Sequence, residues 1–90
     1  MDAAINEETL KEIIELREVN DHGGAYQFAA EKLGCNELAM RFERINKRQI
    51  ELGHLPVDLY EQRHRLYQEL MAFARSNLSV AMYDRLYSAF

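Results

Sequence analysis

Nucleophilic chemistry in this chain would depend on its one cysteine, Cys35, and on its three histidines, His22, His54 and His64. A cysteine becomes a nucleophile when a histidine or another positive group lowers the pKa of its thiol. Cys35 follows Gly34 at the predicted end of a helix, where a small apolar side chain usually packs inward. A buried free cysteine is normally inert, so the sequence predicts no catalytic cysteine.

A metal site would need histidines and acidic residues at defined spacings. The three histidines do not pair at i,i+4, and there is no second cysteine for a zinc site. The segment Glu61-Gln62-Arg63-His64 matches the Glu-x-x-His element of di-iron helix bundles, but such a site needs two of these elements and further inward glutamates. The sequence also has no phosphate-binding glycine loop and no nucleophile elbow. We therefore predict no metal, no cofactor, no catalytic residue and no enzyme activity.

A few breaker residues divide the 90 residues into short helices. There are one proline and four glycines, and no stretch alternates apolar and polar residues as a half-buried strand does. The fold class is therefore predicted to be all-α, a compact bundle of four to five short helices in a single domain over residues 1–90. The expected helices run over residues 7–19, 25–33, 37–52, 57 to 75 or 76, and 80–90, with 21–24 as a turn.

Side chains that can accept hydrogen bonds from free backbone N–H groups mark the predicted helix starts. We expect Asn6, Asn36 and Ser79 to be N-caps, and Asp58 to form a capping box with Glu61. At the other end, a glycine just past a helix adopts the left-handed conformation readily, which suits Gly34 after the second helix.

The last two predicted helices carry more apolar surface than one neighbouring helix can cover. The fourth has two adjacent apolar ridges, and the fifth is apolar on two faces. Tyrosine, methionine and arginine are enriched where proteins meet. Core packing explains part of this surface, and the remainder predicts a protein interface. The candidate interface residues are Tyr60, Tyr67, Met71, Tyr83, Tyr87 and Phe90.

Charge is distributed unevenly along the chain, which has a net charge of −4. Residues 1–21 hold seven acidic and two basic residues, whereas residues 41–48 hold four basic residues and one acidic residue. Net acidity disfavours non-specific nucleic-acid binding, although a local basic patch can dominate at distances below a Debye length of roughly 8 Å. The basic residues of this patch are Arg41, Arg44, Lys47 and Arg48.

The segment of residues 24–41 resembles the helix-turn-helix of bacterial DNA-binding proteins of the Fis and LysR types. The shared features are the alanine pair 29–30, the Leu-Gly turn at 33–34 and the Met-Arg pair at 40–41. The resemblance implies that the third helix is a recognition helix in the major groove, with the basic residues of 41–48 contacting phosphates or bases.

In that family the third helix would bury Met40 and Glu43. The apolar stripe of this chain instead predicts that Phe42 and Ile45 face inward. We therefore expect the third helix to be rotated relative to the family, after a turn that is one or two residues longer than usual.

These patterns favour a small non-catalytic regulator or adaptor that acts through protein–protein contacts. We expect a protein partner, self-association as a homodimer or larger oligomer, or both, and no membrane or small-molecule partner. The single cysteine fits a reducing cytoplasm. The small, cofactor-free format also suits a phage or mobile-element protein that modulates a host factor. The alternative is a helix-turn-helix DNA-binding transcriptional regulator.

Overall fold

The computed structural model describes residues 5–90 as five α-helices, with no strand in that range. This confirms the all-α prediction. The helices form because the apolar residues recur at helical and not at strand spacing. The connections between successive helices contain three, three, four and two residues in chain order. The helices are α1 (Glu7–Glu18), α2 (His22–Lys32), α3 (Asn36–Leu52), α4 (Val57–Asn77) and α5 (Val80–Ala89).

Two of the predicted N-caps are confirmed by their hydrogen bonds. The side chain of Asn6 accepts a hydrogen bond from the backbone N–H of Thr9 at 2.9 Å. The hydroxyl of Ser79 accepts one from the backbone N–H of Met82 at 3.2 Å. Each bond satisfies a backbone donor that has no partner within the helix, so local sequence alone fixes the starts of α1 and α5.

The other two predicted N-caps are wrong. Asn36 is the first residue of α3, and its N-cap is Cys35, which makes no side-chain capping bond. Helix α4 begins one residue before Asp58, after Pro56 at the N-cap position, so the predicted capping box does not form. Proline fixes its own φ near −65° and lacks a backbone donor, so it can begin a helix without a capping side chain. Asp58 lies in the first turn, where the helix dipole favours an acidic side chain.

Helix α2 begins at His22, although the two glycines that follow were expected to form a turn. The carboxylate of Asp21 accepts a hydrogen bond from the backbone N–H of Gly24 at 2.9 Å and caps the helix. Gly23 is buried against α3, and a Cβ atom there would lie 2.0 Å from Oδ1 of Asn46. Glycine at position 23 therefore allows α2 and α3 to approach closely, and this packing outweighs the low intrinsic helix propensity of glycine.

A three-residue turn of residues 33–35 joins α2 to α3. Gly34 has a φ of +80°, as predicted, and its N–H donates to the carbonyl of Glu31 at 3.1 Å. The N–H of Cys35 donates to the carbonyl of Ala30 at 2.9 Å, which completes a Schellman motif. The expectation of a longer turn is therefore wrong, because the Schellman motif reverses the chain within three residues.

The orientation of α3 is as predicted from its apolar stripe. Phe42 is fully buried and Ile45 is 5 % exposed, whereas Met40 is 55 % exposed and Glu43 lies in solvent. The helix is therefore rotated relative to the register that the helix-turn-helix resemblance implies, because the larger apolar side chains occupy the inward positions.

All five helices contribute to one hydrophobic core. Helix α2 is central: it contacts α1, α3 and α4, and its alanines 25, 29 and 30 are at most 1 % exposed. Small side chains let the neighbouring helices approach closely, so that larger side chains fill the space between them. The largest fully buried side chains are Ile5, Ile13, Phe42, Leu70 and Leu86.

The first and last helices lie side by side, as α1 contacts only α2 and α5. Both guanidinium nitrogens of Arg85 donate to the carboxylate of Glu7, and the Nη2–Oε2 distance is 2.6 Å. The hydrogen bond to Arg85 lowers the pKa of Glu7, because it favours the ionised carboxylate. The pair is exposed, so it specifies how α5 lies on α1 more than it stabilises the fold.

Candidate interaction surface

The five tyrosines of the chain form two groups of contacting rings, one around Tyr26 and Tyr67 and one of Tyr83 and Tyr87, and the phenols of the second group raise the pKa of Tyr67. We call these residues together the tyrosine face: Tyr26, Tyr60, Tyr67, Tyr83 and Tyr87. They come from three helices, α2, α4 and α5. Helical spacing explains the local order. Residues 60, 64 and 67 follow one side of α4, and residues 83 and 87 follow one side of α5.

The centre of the tyrosine face is a packed cluster of aromatic rings. The ring centroids of Tyr26 and Tyr67 are 4.9 Å apart, and Phe90 packs edge-on against them at 5.2 and 5.7 Å. Tyr26 also contacts the buried ring of Phe42 at 5.7 Å. These tilted and edge-to-face arrangements are the favoured geometries of aromatic pairs. The inner part of the face is therefore anchored directly to the core.

The outer part of the tyrosine face lies in solvent yet is ordered by stacking. Tyr60 is 54 % exposed, and its ring lies nearly parallel to that of His64, with 6.4 Å between centroids. His64 in turn stacks on Tyr67 at 6.2 Å. On α5, the exposed ring of Tyr87 is 6.4 Å from that of Tyr83. Neighbouring rings restrict each exposed ring, which reduces the entropy lost when a partner binds.

A guanidinium group joins α2 to α4 at this surface. The Cζ atom of Arg63 lies 5.8 Å from the ring centre of Tyr26 and 5.9 Å from that of Tyr60. Both distances fall within the range of a cation–π interaction. Arginine and tyrosine are also the residue types most enriched among side chains that dominate protein interfaces.

Burial raises the pKa of the Tyr67 phenol, and the nearby phenols of Tyr26, Tyr87 and Tyr83 raise it further. Burial also raises the pKa of Tyr26, an effect that the charge of Arg63 partly offsets. A folded protein that holds these protons more tightly than its unfolded chain loses stability once the pH exceeds the ordinary tyrosine pKa of about 10.

We therefore expect the Tyr67→Phe variant to lose less stability than the wild type between about pH 9 and pH 11, since one raised phenol is removed. Urea unfolding at a series of pH values measures this. Ile50→Ala is the control, because Ile50 is 80 % exposed and this variant keeps every phenol, so its stability should fall with pH as that of the wild type does. Identical pH profiles for Tyr67→Phe and wild type would show that this phenol is not responsible.

The structure distributes the six predicted interface residues between surface and core. Tyr60 and Tyr87 are exposed, whereas Tyr83 is half-buried. Tyr67 and Phe90 are half-buried within the ring cluster, and Met71 is 6 % exposed and packs in the core. Met71 is therefore a core residue and is not accessible to a partner.

Tyr26 belongs to the tyrosine face but was not among the predicted interface residues. Its spacing on α2 matches that of the inward alanines, so the sequence pattern assigns it to the core. The residue type could have identified Tyr26 as a surface residue, because a tyrosine hydroxyl usually needs contact with water or a polar partner.

The basic residues of 41–48 are all exposed on α3, whereas Phe42 of the same helix is buried. Arg41 pairs with Glu37 at 2.6 Å, and Lys47 pairs with Glu43 at 3.6 Å. Arg48 pairs with Glu51 at 3.5 Å. Each of these pairs lies within α3, so three glutamates offset much of the positive charge that duplex DNA would meet.

Cys35 and the histidines do not form a reactive centre. Burial raises the pKa of the Cys35 thiol, which opposes formation of the nucleophilic thiolate. Over residues 5–90, no three His, Cys, Asp or Glu side chains are placed to share a metal ion. His64 stacks between two tyrosines, and His54 contacts the carbonyl of Leu52 at 3.1 Å.

Comparison with known proteins gives no match to a family model, to a curated protein or to a solved structure. None of the helices in the described part of the chain has both the length and the apolar content needed to cross a membrane.

Proposed function

We propose that this chain is a small, non-catalytic interaction protein that contacts a protein partner through the tyrosine face. The observation that carries the proposal is that Tyr60 and Tyr87, each more than half exposed, are both in ring contact with a neighbouring aromatic side chain. Rings that were needed only for the core would be covered by the chain itself. These two rings extend the packed cluster outward, where a partner can cover them.

The physical basis of such a contact is burial of aromatic area that is already ordered. Each tyrosine ring can bury about 150–250 Å², and its hydroxyl still offers a hydrogen bond at the rim of the contact. Stacking on His64 and the cation–π contact with Arg63 hold Tyr60 in place before binding. The ordering cost of about 0.5–1.5 kcal/mol for each flexible interface side chain is therefore reduced.

The proposal includes a regulatory or adaptor role in a reducing compartment such as the cytoplasm. Free Cys35, with its raised thiol pKa, suits that compartment. Two kinds of partner satisfy the proposal: a second copy of this chain and a different protein that presents an apolar or acidic surface to the tyrosines and Arg63.

Site-specific photo-crosslinking in cells that produce the chain tests the proposal. A photoreactive amino acid at position 60 or 87 should give a discrete adduct of higher mass. The same amino acid at position 19 or 50 should not, although Val19 and Ile50 are 72 % and 80 % exposed. The control positions are more exposed than positions 60 and 87, so exposure alone would give them the higher adduct yield, and the opposite result reports a contact at the tyrosine face.

A second substitution makes the crosslinking quantitative. In the chain that carries the crosslinker at position 60, Tyr87→Ser should reduce the adduct about tenfold, because loss of one interface anchor typically costs 1–2 kcal/mol or more. The control Ile50→Ser should leave it unchanged, since Ile50 lies on α3, which makes no contact with α5. Equal adduct yields at positions 50 and 60 would reject the tyrosine face as the contact.

A further inference from the structure

The outward side of α1 carries an acidic stripe, which we define as Glu8, Glu12 and Glu15. These residues are four and three positions apart, so they follow one line along the helix. All three are exposed, and within residues 5–90 no basic nitrogen lies within 4 Å of their carboxylates. Lys32 of α2 lines a shallow pocket with Glu8 and Glu12 but forms no ion pair with them, so the stripe is a net negative surface.

A shallow cleft of about 380 Å³ lies between α3 and α4 and carries the opposite charge. Arg41 and Arg44 line it from α3, and Arg65 lines it from α4. Its remaining lining includes Gln62, Glu69 and the buried side chains of Ile45 and Leu66. We call this feature the arginine cleft.

The guanidinium groups of the arginine cleft are weakly engaged within the chain. Arg41 pairs with Glu37, and Arg65 lies 4.0 Å from Glu61 across an exposed turn of α4. Arg44 has no carboxylate oxygen within 4 Å in the described part of the chain. Exposed pairs of this kind contribute about 0–1 kcal/mol, so a better-placed acidic partner can displace them.

The acidic stripe cannot reach the arginine cleft of the same molecule. Helix α1 contacts α2 and α5, whereas the cleft is formed by α3 and α4, with which α1 makes no contact. The spacing of the charges also matches, because Arg41 and Arg44 are three residues apart on α3, as Glu12 and Glu15 are on α1. Each pair is separated by about 4.5 Å along its helix axis at 1.5 Å per residue.

We propose that the acidic stripe of one molecule binds in the arginine cleft of a second copy of this chain. The partner helix would lie along α3 with its carboxylates against Arg41 and Arg44, and Arg65 would close the other side. Complementary charge, matched spacing and the lack of any intramolecular route select this occupant. Duplex DNA fits less well, since the chain is net acidic.

Charge complementarity of this kind sets register and association rate more than affinity. We therefore expect weak association that dissociates as salt screens the charges, with a Debye length of roughly 3 Å at 1 M salt. This contact does not use the tyrosine face. The Tyr60→Ser/Tyr87→Ser variant should keep it, so failure of this inference and failure of the proposed function can be told apart.

The test is sedimentation of the full chain with two charge-reversed variants. Variant one is Arg41→Glu/Arg44→Glu/Arg65→Glu, and variant two is Glu8→Lys/Glu12→Lys/Glu15→Lys. All six positions are exposed, so both variants should fold, which circular dichroism verifies. Each variant alone should associate at least tenfold more weakly than wild type at low salt, because like charges then meet at the contact.

Mixing the two variants in equal amounts should restore association, because each then offers what the other lacks. A control, Arg17→Glu/Arg75→Glu, lowers the net charge by four but changes no residue of the arginine cleft or of the acidic stripe, and it should associate as wild type does. A monomeric wild type at low salt, or a mixture that fails to associate, would overturn the proposal. So would duplex DNA that binds wild type and variant two but not variant one.

Discussion

Replacing Phe42 with alanine is expected to destabilise the fold by about 3–5 kcal/mol, the usual cost of truncating a fully buried phenylalanine. Phe42 has no exposed surface, packs in the shared core and contacts the ring of Tyr26 at 5.7 Å. A domain of this size has a total stability on the order of 5–10 kcal/mol. The variant should therefore be marginally folded, with a melting temperature lower by roughly 15–30 °C.

Thermal and urea unfolding followed by far-ultraviolet circular dichroism measure this effect. Ile50→Ala on the same helix is the matched control, because Ile50 is 80 % exposed and should change stability by no more than about 0.5 kcal/mol. If both variants unfolded at the same urea concentration, α3 could not have the orientation described above. The basic side of α3 would then need a different structural account.

Replacing Leu86 with alanine is expected to cost about 2–5 kcal/mol and to loosen α5 before the other helices. Only Leu86 and Ala89 of this helix are fully buried in the core. Truncating Leu86 removes the largest fully buried side chain of a ten-residue helix, which is too short to be stable alone in water. The backbone amides of α5 and α1 should exchange hydrogen faster than those of α2 and α3.

Hydrogen exchange resolved by helix separates this local effect from a general loss of stability. Val80→Ala provides the control in the same helix, since Val80 is 79 % exposed. A uniform increase in exchange across all helices of Leu86→Ala would mean that α5 unfolds only with the whole molecule. Unchanged exchange in α5 would mean that Leu86 does not anchor it.

The features that local sequence could predict are those that depend on a few neighbouring residues. The caps at Asn6 and Ser79 and the left-handed conformations of Gly34 and Gly53 each involve a hydrogen bond or a dihedral angle within one turn. The inward side of α3 was also predictable, because large apolar residues at helical spacing must leave water together.

The features that could not be predicted depend on tertiary contacts. The Gly23-Gly24 pair reads as a turn until the close approach of Asn46 explains why the helix can include it. The position of Tyr26 beside Tyr67 brings together residues that are 41 positions apart in the sequence. No local pattern encodes that contact. The sequence pattern therefore identified four tyrosines as interface candidates but not Tyr26, which packs against Tyr67.

The pairing of α1 with α5 has a consequence for the order in which the structure forms. In the folded protein Leu10 and Ile13 of α1 are buried, and α1 packs against both α2 and α5. A chain is synthesised from its N-terminus, so α1 leaves the ribosome long before α5. Until then it can pack only on α2 and presents unprotected apolar surface. Contacts that close so long a loop form slowly, so the nascent chain should depend on its α2–α3 hairpin as an early folding nucleus.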